Sequence, residues 1–212
     1  MALLCADWII PVSTPPIADG AVLVVDGTIA AVGPAEELRS RYPEQPVESF
    51  AGCALLPGLV NVHTHLDYSA FRGFTRARSF GGWMLHLLLA SRKLQPEDRA
   101  TSALWGAYEC VRGGVTSIAD AACDGESVGR AARATGLRAR VYLEVFGLDD
   151  AELPATIRRL GSRLERLRRE FEAAPAATSG HAIPAAAGPP VEWGGSPHAP
   201  YTVPPRLYRE AA

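Results

Sequence analysis

Apolar positions follow two different grammars along this chain. Up to about residue 55 they form short runs of strand character. Ala21 to Val25 is such a run, followed by Asp26-Gly27, a hairpin turn signal. Thr28 to Gly33 reads as the returning strand, and Pro34-Ala35-Glu36-Glu37-Leu38 opens a short helix with its acids in the first turn. Residues 1–55 therefore predict a small β-rich unit.

From residue 56 onward, strand and helix patterns alternate. Leu55 to His65 reads as a strand, Trp83 to Leu94 as a helix, and Pro96-Glu97-Asp98 as the start of a better helix. Ala100, Leu104, Ala107, Tyr108 and Val111 fall at i, i+3, i+4 spacing in that helix, and Gly113-Gly114 ends it. Val115 to Asp120 is the next strand, Glu126 to Thr135 a helix closed by Gly136, and Arg138 to Val145 a third strand. A long arginine-rich helix runs from Asp150 to about Ala173. Residues 175–190 are rich in Ala, Pro and Gly without periodicity, which predicts a flexible loop. Val191 to His198 is a fourth strand, and a fourth helix begins near Pro204.

Such alternation implies a parallel sheet with right-handed crossovers. Four strand–helix units are half of a (β/α)₈ barrel. The expected fold is α/β: a partial TIM-type barrel of about four βα units over residues 56–212, behind the small β-rich segment of 1–55.

Composition narrows the function. The chain has 212 residues, is 48% hydrophobic and carries a net charge of -2. That balance offers no electrostatic case for nucleic acid or a membrane surface. The start lacks a cationic signal region, and no apolar run approaches the ~20 residues that span a bilayer. A cytoplasmic protein is the expectation. The four cysteines, Cys5, Cys53, Cys110 and Cys123, form no C-x-x-C pair and predict buried free thiols.

The chemistry-bearing feature is Val62-His63-Thr64-His65-Leu66, at the end of the first strand of the alternating region. Side chains at i and i+2 of a strand share a face, so two imidazoles point into one space. Imidazole suits zinc and other first-row metals. Alone, the pair is also consistent with two hydrogen-bonded histidines of a core strand. Trp83, Asp120, Glu144, His86, His181 and His198 are the other polar or aromatic candidates. Asp120 and Glu144 lie near strand ends; hydrogen-bonding support is their favoured role. His86, in an apolar helix, is expected to be packed, and His181, in the loop, solvated.

The run Leu56-Pro57-Gly58-Leu59-Val60-Asn61-Val62-His63-Thr64-His65-Leu66-Asp67 resembles the start of the barrel in the amidohydrolase superfamily. Residues 1–55 are similar to the first part of that family's small β-sandwich domain. Ser196-Pro197-His198-Ala199-Pro200-Tyr201-Thr202-Val203 resembles a strand 4 motif of its one-metal aminohydrolase branch, which holds deaminases and chlorohydrolase-like relatives. Phe80-Gly81-Gly82-Trp83 and the strand 113–120 also fit. His65-Leu66-Asp67-Tyr68-Ser69 looks most like deaminases of the aminofutalosine type, with adenosine-derivative deaminases close behind.

The resemblance implies roles. His63 and His65 are the first two ligands of one divalent metal, zinc first and iron second. His198 contacts the substrate, and Trp83 lines its pocket. The implied reaction is hydrolytic deamination of a heterocyclic amine, a purine nucleoside derivative, by metal-assisted hydrolysis with a carboxylate moving the proton. Lys93 is the only lysine and lies outside the fourth strand, which favours the one-metal branch over members with a modified lysine there. The H-x-E with P-C-x-x-C deaminase pattern is absent.

The family's H-x-x-E, its later histidine and its metal-binding Asp have no counterpart: no histidine follows His198, and Glu210 is the last acid. No catalytic residue is therefore assigned. The expectation is a fragment, inactive alone and weak in metal binding, with open barrel edges that favour self-association. Two alternatives stand beside it: a non-catalytic half-barrel that binds or assembles, and a chlorohydrolase or cyclic amide hydrolase of the same superfamily.

Overall fold

The computed structural model describes residues 1–173 and 191–210, so the predicted loop at 175–190 lies outside the described residues. The chain divides into two compact units, Met1–Gly58 and Leu59–Ala212.

The first unit is one four-stranded sheet in the order β3-β2-β1-β4. Its strands are β1 (Ala2–Ile9), β2 (Ile17–Val25), β3 (Thr28–Pro34) and β4 (Val47–Leu55). The β2–β3 hairpin turns at Asp26-Gly27, where both residues have positive φ, 49° and 75°. That is the signature of a type I′ turn, which Gly27 tolerates without strain. β1 and β4 pair in parallel, joined by a crossover that includes α1 (Ala35–Arg41). Leu38 of α1 packs on Leu3, Cys5, Ala21 and Leu23.

The second unit is a four-stranded parallel sheet in the order β5-β6-β7-β8. Its strands are β5 (Leu59–Thr64), β6 (Val115–Ala122), β7 (Arg138–Val145) and β8 (Val191–Pro197). Spatial order follows chain order without reversal, which is barrel winding rather than the switch of a doubly wound sheet. The sheet is open: β5 and β8 are its edges, as a partial barrel requires. The helices are α2 (Phe80–Ser91), α3 (Pro96–Arg112), α4 (Glu126–Thr135), α5 (Leu153–Ala173) and α6 (Pro205–Glu210).

β7 shows the alternation that orients the sheet. Ala139, Val141, Leu143 and Val145 are buried in the main core, with Val128, Ala132, Leu167, Phe171 and Trp193. The even-numbered residues Arg138, Arg140, Tyr142 and Glu144 take the opposite face.

α3 departs from its predicted stripe. Its buried residues are Ser102, Ala103, Gly106 and Ala107, while Leu104, Tyr108 and Val111 remain 43–48% exposed. The cause is close approach. The 3₁₀ segment Leu66–Phe71 lies so near that a β-carbon at Gly106 would collide with Ser69 Oγ. Small residues win that face because only they admit the neighbour.

Burial of all four thiols is also corrected. Cys5 is buried and Cys110 and Cys123 are partly so, but Cys53 is exposed. Among the described residues, no helix is long and apolar enough to cross a membrane.

Candidate metal and substrate site

The candidate residues gather at the carboxyl ends of the parallel strands, where barrel enzymes place their chemistry. His63 lies near the end of β5 and His65 directly follows the strand, at the entry to the 3₁₀ segment; their rings meet edge to face with centroids 4.9 Å apart. His65 Nδ1 lies 2.7 Å from the Ala121 carbonyl. A carbonyl only accepts, so Nδ1 carries the proton and Nε2 keeps its lone pair. A metal-ligating histidine is commonly arranged this way.

β5 is pinned to β6 by one carboxylate. Asp120 Oδ2 accepts from Thr64 Oγ1 at 2.6 Å and from Leu66 N at 2.8 Å. Asp120 pairs in register with Thr64 on one side and Val141 on the other. It is fully buried on the helix side of the sheet rather than facing the mouth. The residue holds the strand that carries both histidines. Burial pushes its carboxyl pKa up, against the two hydrogen bonds that hold it down.

Asp67 follows the histidines and is also fully buried. Its carboxyl is raised to about 7, first by burial and then by the charges of Asp120 and Asp124; Arg99, 3.7 Å away, works against them.

Glu144 ends β7 with its side chain 6% exposed, and His198 follows β8. His198 Nε2 stands 3.9 Å from Glu144 Oε1, and its Nδ1 2.8 Å from Thr202 Oγ1. Phe146 packs on the His198 ring at 4.6 Å. Between the two histidine clusters lie Tyr68, stacked on His65, and Cys123, whose Sγ is 3.2 Å from Tyr68 Oη and 4.0 Å from Glu144 Oε2. Sequence reasoning assigns no site role to Tyr68, which enters only within the His65–Ser69 run, or to Cys123, which stands in no motif.

Trp83 has no ring contact to this group among the described residues. It is 38% exposed on α2, and its ring contact is Phe80 at 5.9 Å. His86 is exposed rather than packed, with its Nδ1 against Thr75 Oγ1. His181 lies outside the described residues. Among the described residues no cluster of three or more His, Cys, Asp or Glu could hold a metal. A crevice of about 200 Å³ lies beside Glu144, Phe146, Arg159 and Arg163. It is smaller than the roughly 300–1,000 Å³ of small-molecule sites.

The profile described as the amidohydrolase family matches residues 54–212, three quarters of the chain. The chain belongs to the amidohydrolase family. Residues 20–44 also match an imidazolonepropionase-like composite domain of bacteria. Among amidohydrolase relatives, a 5-methylthioadenosine/S-adenosylhomocysteine deaminase of Syntrophobacter fumaroxidans is 30% identical over 192 residues. That match covers 89% of this chain and 40% of the relative. A 5'-deoxyadenosine deaminase of Methanosarcina barkeri is 32% identical, over 70% of this chain and 34% of its own length. The chain thus spans about 40% or less of these curated relatives.

Solved amidohydrolase folds agree. Helicobacter pylori aminofutalosine deaminase, in complex with methylthio-coformycin, superposes with a TM-score of 0.73 at 20% identity. All of this chain and 47% of that one are covered. An adenosine deaminase from Xanthomonas campestris with bound zinc gives 0.69 at 22% identity, covering 99% and 45%. Members of the family generally use a divalent metal. The described residues fit such an ion in part, with two imidazoles, one of them held in the ligating tautomer.

Proposed function

We propose that residues 59–212 carry the first half of the mouth of a metal-dependent hydrolase that cleaves non-peptide C–N bonds. The reaction is hydrolytic deamination of a heterocyclic amine, a purine nucleoside derivative. The observation that carries this reading is His65: its Nδ1 is spent on the Ala121 carbonyl, so Nε2 is free beside His63 at the catalytic end of the sheet. Similarity to adenosine-derivative deaminases over most of the chain supports the substrate class.

His63 and His65 would hold one divalent ion, zinc first and iron second. When bound, such an ion supplies an activated water at neutral pH. A catalytic zinc site uses three protein ligands plus water. Two ligands predict weak binding and no catalytic residue within this chain. His198 would contact the substrate and Trp83 would border it. A cytoplasmic setting, with no nucleic acid or membrane partner, belongs to the same reading.

Zinc titration against a chromophoric chelator tests the metal site. Binding should be weak in the native chain and absent in His63→Ala and His65→Ala. Equal affinity in all three proteins would overturn the assignment. The zinc-loaded chain should release no ammonia from adenosine derivatives; turnover would overturn the absence of a catalytic residue.

One observation favours a second reading, self-association. On β5, Val60 and Val62 are 64% and 75% exposed beside an unpaired strand edge. Light scattering on a sizing column separates a discrete dimer from a monomer.

A further inference from the structure

We propose that one face of α3, formed by Arg99, Ser102, Gly106 and Glu109, is a register lock. It fixes the 3₁₀ segment Leu66–Phe71 along the helix and thereby positions His65 as a metal ligand. The metal half of this statement rests on the function proposed above; the lock does not.

The four residues are spaced i, i+3, i+7 and i+10, so they share one side of the helix. Each meets the segment that follows His65. Arg99 Nη1 faces the buried Asp67 carboxylate at 3.7 Å, while its Nη2 donates to the Ser91 carbonyl at 3.0 Å. Ser102 Oγ accepts from Ala70 N at 2.9 Å and donates to the Leu66 carbonyl at 3.4 Å. At Gly106 the two backbones come closest, and a β-carbon there would collide with Ser69 Oγ and crowd Leu66. Glu109 accepts from both amino groups of Arg72, at 2.8 and 2.6 Å.

The lock accounts for the inversion of α3, which turns this face inward and leaves Leu104, Tyr108 and Val111 outside. An apolar face would bury more surface, but apolar contact is non-directional and lets a neighbour slide. Hydrogen bonds and a two-pronged ion pair are made in one register only. Fixing register is the best-attested use of inward-facing polar groups. At Arg72, whose side chain is 74% exposed, the direction of the pair matters more than its energy.

The lock reaches His65 through its neighbours. Leu66 N donates to Asp120 Oδ2 on β6, and the Leu66 carbonyl accepts from Ser102 on α3. The residue after His65 is thus held from two sides. Tyr68 N donates to the His65 carbonyl at 3.0 Å, and the Tyr68 ring stacks on the imidazole at 6.0 Å. A slip of the segment along α3 carries Tyr68 with it and turns the imidazole away from the Ala121 carbonyl that holds Nδ1.

The test is a long-range ¹H–¹⁵N correlation on the full chain labelled with ¹⁵N-histidine, free of metal. The five histidines are assigned by single replacements. Native His65 should appear as the Nδ1–H form. Ser102→Ala and Glu109→Arg should each draw its two nitrogen shifts together, toward averaging between tautomers. Arg72→Glu combined with Glu109→Arg should restore them, since the pair re-forms with its charges exchanged. Leu143→Ala, which loosens the core away from the lock, should leave them native. His65 shifts unchanged in both single replacements, no restoration in the double one, or an equal change in Leu143→Ala would each overturn the lock. Zinc should then shift His63 and His65 in the native chain at concentrations several-fold lower than in Ser102→Ala; equal concentrations would overturn the positioning role. If zinc moves neither histidine even in the native chain, the metal reading above fails, while the lock stands on the replacements.

Discussion

The centre of the parallel sheet and its β5 edge are built from similar apolar sequence and end in opposite surroundings. Val141 and Leu143 of β7 have no solvent exposure, with strands on both sides and α4 and α5 against their face. Val60 and Val62 of β5 are 64% and 75% exposed, with a strand on one side only. Burial is thus decided by neighbours, and apolarity alone does not supply them. The functional consequence is specific. The paired histidines sit on and just after the less supported strand, and beyond its ladder with β6 a buried carboxylate, Asp120, ties the end of that strand to the rest.

The largest effect should come from the centre. Leu143→Ala removes a fully buried side chain packed in the main cluster. Leucine-to-alanine changes in such sites cost about 2–5 kcal/mol through lost transfer energy and the cavity left behind. Urea unfolding followed by circular dichroism should show the unfolding free energy fall by that amount, with an earlier midpoint. A loss under about 1 kcal/mol would mean the centre is as loosely held as the edge, and the contrast would collapse.

Asp120→Ala probes the tie between the two regions. It leaves the Leu66 amide and the Thr64 hydroxyl without their buried acceptor. An unsatisfied buried donor costs about 1–3 kcal/mol, so a loss on the order of 2–4 kcal/mol is expected. The stability loss should come with a local signature: amide exchange should quicken at Leu66 and along β5 more than along β7. Uniform acceleration across the sheet would show that Asp120 supports the whole core rather than the edge.

The alternation of strands and helices made the half-barrel legible, because period and turn signals are local. The H-x-H was legible for the same reason: two residues on one strand fix their own relation. Other features are set by distant chain segments. The buried face of α3 is chosen by the close approach of Ser69 to Gly106, a contact across 37 positions that no helical period announces. Asp120 was legible as hydrogen-bonding support near a strand end, but the side of the sheet it takes was not. Register with Thr64 and Val141 sets that side as the helix side. Tyr68 stands only in a run of family resemblance and Cys123 in no motif, and their meeting with Glu144 exists only once β6 and β7 lie in register. His86 was read from the apolar helix around it, yet much of α2 is exposed, with Phe80, Leu85, Leu88 and Leu89 at 50–66%.

The smallest effect should come from the edge itself. Val62 touches solvent over three quarters of its surface, so Val62→Lys removes little buried area. Exposed substitutions of this kind change stability by about 0.5 kcal/mol or less. Lysine on an edge strand also opposes strand-to-strand pairing, by charge and by its long hydrated side chain. The variant should therefore unfold at the native midpoint while scattering less light at high concentration. Its zinc affinity should stay within about twofold, since Val62 points to the face opposite His63. A clear loss of stability would place an apolar neighbour over Val62 in solution. The self-association reading would then gain its contact surface, and β5 would no longer count as an open edge.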